Sequence, residues 1–366
     1  MALADRSGTT GLENPRKIAH LLLGDVPVFA VAGLLFAVCI GIFAAYGIEP
    51  IGPKLILANG RLYFVAGFAL LVIDAIALLV RNRPASPASF LLGTYRERLS
   101  SARVIASLPA FALIIVFMPF FSKLKSMIPL FNDFKWDTAF IAWDRALFFG
   151  MDGWQALQPV FGYPLVTAFM AVLYHAWMLL IYAGTLFFLF YRAGGAIRRQ
   201  YLLGFFLIWT LIGGGMATAL ASVGPVFVGP ILGLPTFDAQ MAYLNAANEQ
   251  VPILTLHVQE LLLNWYHQGD RGLGSGITAM PSMHVSMAML FWLAIREVSP
   301  RAGRAFLVFL VLIWIGSVHL AYHYAVDGLV SLIATAFLWG IATRTIAFWD
   351  RLMAGRVSER AVGQAA

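Results

Sequence analysis

Two short stretches hold the residue types that could do chemistry. "GITAMPSMHVSMAML", residues 276 to 290, sets His284 in an apolar run that opens with Pro281 and Ser282. A buried imidazole must find hydrogen-bond partners or lose solvation free energy, so the position needs a reason. Proline is favoured in the first helical turn, where free backbone N–H groups and the positive end of the helix dipole suit an anion. With the hydroxyl of Ser282 and the ionisable ring of His284, "PSMH" reads as a phosphate-sized site. The second stretch, "SVHLAYHYAVD", residues 317 to 327, places His323 and Asp327 four apart. On a helix that spacing shares one face and permits a hydrogen bond. A carboxylate held against one ring nitrogen fixes the tautomer and leaves the other nitrogen as nucleophile or base. Two histidines and an aspartate beside a helix N-terminus suit phosphoryl transfer. One histidine attacks phosphorus, the carboxylate steadies the imidazolium, and the other histidine protonates the leaving oxygen.

Both stretches must be positioned by elements that lie in a membrane. Hydrophobic residues make up 60% of the 366-residue chain and charged residues only 12%, where soluble proteins carry roughly a quarter charged. Apolar runs recur along the whole chain, so length argues for one bundle and not for two soluble domains. A helix needs about 20 apolar residues to cross the hydrocarbon core. Eight runs meet that need: 26–48, 62–80, 104–121, 164–191, 201–223, 281–297, 305–321 and 323–346. The last two are nearly continuous, and one helix of that length would be about twice the bilayer core, so the chain must turn near 320–323. No glycine or proline marks the turn. The first run is too long for a signal-peptide core and is expected to stay as an anchor.

Charge sets the orientation. Of the 25 Lys and Arg, 18 fall in segments that are cytoplasmic if the N-terminus is inside, and 7 fall in the opposite segments. Such an asymmetry predicts an even number of spans with both termini inside. The two histidine stretches then share the outer depth. The net charge of +7 is spread between apolar runs and forms no stripe interleaved with aromatics, so nucleic acid is not an expected partner. Two outer segments are long. Residues 122–163 alternate Pro, Asp and Trp with apolar residues, as interfacial segments do. Residues 224–280 contain "VPILTLHVQELLLNWYHQ", which predicts a short amphipathic helix. The single cysteine, Cys39, lies in an apolar run and reads as a small core residue.

Each polar residue has a plainer role open to it. A lone histidine near a span end is usually interfacial with a satisfied hydrogen bond. His319, with His284, His323 and Asp327, could in principle hold zinc, but the turn between 319 and 323 spoils a simple ligand spacing. Asp74 and His175 lie deep in spans and read as partners in helix–helix hydrogen bonds.

"PSMH" followed by "HYAVD" resembles the type 2 phosphatidic acid phosphatase superfamily, whose motifs are KxxxxxxRP, PSGH and SRxxxxxHxxxD. The resemblance implies that His323 is the nucleophile, Asp327 its orienting partner and His284 the general acid, with Ser282 helping to hold phosphate at the outer membrane face. Two arginines of the pattern are missing: Gly224 precedes Pro225 where Arg would stand, and Gly316 and Ser317 occupy the SR position. Replacement cations must come from elsewhere, and Lys123, Lys125, Arg145 and Arg271 are the outer candidates. "HYAVD", "LKSMIPLF", "WDRALFFGMDGW" and "SVGPVF" are similar to segments of the inositol phosphorylceramide synthase branch, over roughly residues 120–346.

The expectation is an all-α polytopic membrane bundle of about eight transmembrane helices with a six-helix phosphatase-type core. It divides into a cytoplasmic segment 1–25, two extra spans and a basic loop over 26–103, the catalytic core over 104–347, and a cytoplasmic tail 348–366. The expected activity is metal-independent transfer of a phosphate-linked headgroup, inositol-phosphate-like, from a phospholipid donor to a lipid hydroxyl, with no cofactor. Absent arginines favour a diester substrate over the more highly charged monoester. The alternatives are a lipid phosphate phosphatase acting on phosphatidic acid or a polyprenyl phosphate, and a lipid or solute transporter, which would call for repeats and broken helices at the midplane. A bacterial inner membrane with a periplasmic site is the expected location. Oligomeric state is not legible.

Overall fold

The computed structural model describes residues 15–49, 51–191, 195–269 and 274–363. Helices account for nearly all of it, and no strand occurs among the described residues. In chain order they are α1 (Pro15–Gly24), α2 (Val26–Ala45), α3 (Pro53–Asn82), α4 (Pro87–Leu99), α5 (Ala102–Ser126), α6 (Ile128–Phe131), α7 (Asp137–Leu147), α8 (Gly153–Phe161) and α9 (Pro164–Leu186). Then follow α10 (Ala196–Leu207), α11 (Ala217–Ala219), α12 (Pro225–Leu232), α13 (Asp238–Gln250), α14 (Leu254–Gln268), α15 (Met283–Ile295), α16 (Pro300–His319) and α17 (Ala325–Gly363). The chain is an all-α, integral membrane helix bundle.

Seven helical stretches are long and apolar enough to cross a bilayer: α2, α3, α5, Pro164–Phe190, Ala196–Ala219, α16 and Ala325–Gly355. The run expected over 281–297 differs. It forms α15, whose 13 residues reach only about 20 Å against a core of about 30 Å. Pro281 offers no N–H, and Ser282 takes the N-cap position, its hydroxyl accepting from the Val285 N–H at 3.4 Å. The missing depth is covered by the non-helical stretch before it, in which Ser275, Ile277, Ala279 and Met280 are all buried. Irregular backbone at membrane depth is tolerated only when protein surrounds it in this way.

The turn expected near 320–323 is present. Ala321 takes a left-handed conformation at φ +62, and the N–H groups of Tyr322 and His323 both donate to the Ser317 carbonyl at 3.0 Å. This closes α16 as a C-cap does, with alanine standing where glycine is usual.

α15 is central, packed against α16, α17, α10 and α9. α3 touches only α5 and α9 among its main contacts, and just 6% of its apolar window is buried, so most of its surface faces lipid. The amphipathic helix expected within 251–268 is α14. α7 and α12 lie over the end of the bundle that carries the α16–α17 turn.

Candidate active site

His323 sits in that turn, two residues before α17, and not within the helix as its spacing suggested. Asp327 lies in the first turn of α17. The expected pairing still forms: His323 Nδ1 is 3.1 Å from Asp327 Oδ2. The same oxygen accepts the Tyr324 N–H at 3.1 Å, while Oδ1 has no partner. Asp327 is wholly buried and His323 nearly so. Burial lowers the His323 imidazole to about 3, with the nearby Lys125 charge acting in the same direction and a hydrogen bond to the Ala279 backbone opposing it. The ring is therefore neutral at physiological pH, with Nδ1 turned to Asp327.

His284, in the first turn of α15, comes within 6.1 Å of His323, ring centroid to centroid. Its imidazole is stacked on Tyr174 at 4.2 Å and on Trp177 at 3.9 Å. Two rings cannot share one face at those separations, so His284 is sandwiched between them. Tyr174 and Trp177 are three apart on α9 and project from one face. Tyr322 stacks in turn on Tyr174 at 5.0 Å. The Tyr174 hydroxyl and Trp177 Nε1 are buried without hydrogen-bond partners; such groups are exceptional in a folded interior.

Of the three proposed cations among the described residues, Lys123, Lys125 and Arg145, one acts on the histidines. Lys125, at the end of α5, acts electrostatically on both His284 and His323. It is brought there by Gly276: at φ +94 a Cβ would lie 3.0 Å from the Ser126 backbone and 3.1 Å from the Lys125 carbonyl carbon, so the strand-like approach to α15 runs directly against the end of α5. Lys123 turns away, donating to the Glu49 carbonyl and lying over the Phe43 ring at 5.5 Å. Arg145 forms a fork with Asp152, at 2.7 and 3.3 Å. Arg271 lies outside the described residues.

The missing arginine has a steric reason. Gly224 adopts φ +86, and a Cβ there would stand 2.7 Å from the Tyr322 carbonyl oxygen and 2.9 Å from Ala279 Cβ. No side chain fits. At the other vacated position, Ser317 is buried and its hydroxyl donates to the Trp314 carbonyl at 2.7 Å. His319 points elsewhere, its Nε2 2.9 Å from the Thr167 hydroxyl, with Tyr243 beside it. Asp74 pairs with Arg98 and Tyr95 at 2.6 and 3.0 Å, joining α3 to α4 as a helix–helix contact. His175 instead bonds the Ala171 carbonyl of its own helix at 2.8 Å.

Comparison with protein-family profiles matches residues 138–341 to the PAP2 superfamily, that of the type 2 phosphatidic acid phosphatases. The chain belongs to the PAP2 superfamily. Comparisons with curated proteins and with solved structures give no match. Membership makes this a membrane enzyme of the PAP2 type, a lipid phosphatase or phosphotransferase. The PAP2 match spans His284, His323 and Asp327; it leaves out α1 to α5, and hence Lys125.

Two carboxylates that sequence reasoning did not single out tie together the loops around the candidate site. Asp137 accepts from the Val223 and Gly224 N–H groups at 2.9 and 3.0 Å and from the Tyr324 hydroxyl at 2.7 Å. Asp144 accepts from the Ala325 and Val326 N–H groups at 2.8 and 2.9 Å, satisfying the start of α17. Burial pushes Asp144 up to about 6, against the lowering effect of those two donors. The signal was present: "WD" occurs at 136–137 and again at 143–144, seven apart and so on one helical face. Tyr174 and Trp177 left no comparable trace among the many aromatics of an apolar span.

Proposed function

We propose that the chain is a lipid phosphotransferase of the inositol phosphorylceramide synthase-like branch, moving a phosphate-linked headgroup from a phospholipid to a lipid hydroxyl. The observation that carries this reading is the charge of the site. A neutral His323, bonded to Asp327, faces His284 with Lys125 as the nearby cation, and the Gly224 backbone leaves no room for an arginine. A phosphodiester carries one negative charge and a monoester up to two, so a single lysine matches the diester better. Tyr174 and Trp177 add neutral donors beside His284, and Ser282 and the N-terminus of α15 complete the phosphate cradle.

In the first half-reaction the His323 nitrogen turned away from Asp327 attacks phosphorus, and Asp327 stabilises the imidazolium that forms. The bond from phosphorus to the leaving oxygen breaks, and His284 gives that oxygen a proton. Neutral His284 then takes the proton from the incoming lipid hydroxyl, whose oxygen attacks the phosphohistidine and frees His323. No metal takes part in this scheme. Water as the second nucleophile would make the same site a phosphatase. The distribution of Lys and Arg, and the meeting of α1 with α17 where Trp349 Nε1 donates to the Leu23 carbonyl at 2.8 Å, support both termini inside and the site outside, in a bacterial inner membrane the periplasmic face.

The test is mass spectrometry of lipid products after incubating purified protein with phosphatidylinositol, phosphatidic acid, ceramide and diacylglycerol. A new phosphodiester lipid made by wild type is the expected result, with a fall of at least about 10³-fold in His323→Ala, the order seen when a nucleophile is removed. Free phosphate with no new lipid would make the enzyme a phosphatase. Unchanged product in His323→Ala would remove the histidine mechanism.

A further inference from the structure

At the opposite end of the bundle α1, α5, α10 and α17 enclose a cavity of about 460 Å³. Its wall residue Ser107 and the active-site Lys125 both lie on α5, separated by about 27 Å along the helix axis. The cavity is therefore distinct from the catalytic centre and opens at the other membrane face.

Its chemistry is set by three arginines against two aspartates. Arg198 is 2% exposed. Its Nη1 grips both Asp25 oxygens at 2.6 and 2.8 Å, and its Nε donates to the Leu189 carbonyl at 3.2 Å. Its Nη2 is buried with no acceptor. Arg199 forks onto Asp350 at 2.5 and 2.9 Å. Arg103 lines the same space and has no ion pair among the described residues. One positive charge is thus left uncompensated, and one buried guanidinium N–H lacks a partner. A buried donor left unmade is unfavourable, and a phosphate oxygen is the acceptor a guanidinium fork binds best.

We propose that this cavity binds the phosphate of an anionic lipid headgroup from the leaflet at that end. The volume falls in the range of small-ligand sites, larger than a phosphate alone requires. α1 lines the cavity with His20, Leu21 and Gly24, Leu23 between them is exposed, and Trp349 Nε1 donates to the Leu23 carbonyl. The arginines of the lining, the exposed Leu23 and the neighbouring tryptophan place the cavity at headgroup level.

The experiment titrates dioctanoyl phosphatidylglycerol, dioctanoyl phosphatidylcholine and inorganic phosphate into the purified full-length protein in detergent, reading the shift in melting temperature. Arg198 variants risk misfolding, so the probe is Arg103→Glu, an exposed position; Lys125→Met serves as control for lipid held at the catalytic end. Phosphatidylglycerol is expected to stabilise wild type and Lys125→Met alike, and to bind Arg103→Glu about tenfold more weakly, as loss of a charge-assisted contact implies. Equal affinity in Arg103→Glu and wild type overturns the proposal, as does loss confined to Lys125→Met. Phosphatidylcholine binding as tightly as phosphatidylglycerol removes the charge recognition. Inorganic phosphate acting as strongly as the lipid removes the lipid assignment.

Discussion

At the end of the bundle formed by α1, α10 and the far part of α17, Arg198 faces Asp25 and Arg199 faces Asp350, each at hydrogen-bond distance. At the other end His323 is buried and His284 half-buried, with Lys125 beside them and Asp327 bonded to His323 alone of the three. The first arrangement fixes helices: a buried guanidinium bonded to a buried carboxylate holds α10 to the start of α2. The second gives Lys125 no carboxylate partner among the described residues and keeps His323 uncharged. On the proposed function that end receives charge from a substrate, where the first has neutralised most of its own.

The contrast can be broken most forcefully at Asp25. Asp25→Ala strands Arg198 as a buried unpaired charge, and the expected loss is about 3–5 kcal/mol of stability, measured by denaturant unfolding in micelles. Replacing both partners, Asp25→Leu with Arg198→Met, should recover most of it. A single variant within about 1 kcal/mol of wild type would show that the pair is solvated.

Asp144→Ala comes next. It takes the acceptor from two backbone N–H groups at the start of α17, and about 2 kcal/mol is expected for those unmade bonds. Because the same turn carries His323 and Asp327, turnover should fall with stability. Unchanged turnover in a folded variant would show that α17 holds its dyad without Asp144.

Lys125→Met leaves the fold intact and should lower kcat/KM by about 10- to 100-fold, as for one charged contact to a phosphoryl group. A change below about twofold would shift phosphate binding wholly to neutral donors.

The smallest effect is with pH. Histidine at about 3 is neutral at every higher pH, so His323 gives kcat/KM, which reports the free enzyme, no acid limb near the usual value of about 6.5. A shallow change near 6 is expected from Asp144, and it should vanish in Asp144→Asn. A full limb centred near 6.5 that persists in that variant would mean His323 is exposed to water.

Much of this was legible because membrane segments and charge-bearing motifs are local. Apolar runs found the bundle, and the spacing of His323 and Asp327 found their contact, though His323 precedes the helix it was expected to share. The depth of α15 was not legible. An apolar count over 281–297 could not register that Pro281 and Ser282 delay the helix and that buried extended chain covers the rest. Nor could outer position sort Lys125 from Lys123, two residues away on the same helix. Side chains two apart point to different faces, and which face meets the histidines depends on Gly276 pressing against Ser126.

By itself the sequence determined an all-helical membrane protein with two histidines and an aspartate of PAP2 type at one end, because periodicity and short motifs are written in neighbouring residues. Only the tertiary structure decided which cation lies near them, why Gly224 excludes another, and that Asp137 and Asp144 hold the loops around them. Those contacts join residues as far apart as Asp137 and Tyr324, and no local pattern records a distance that the folded chain alone creates.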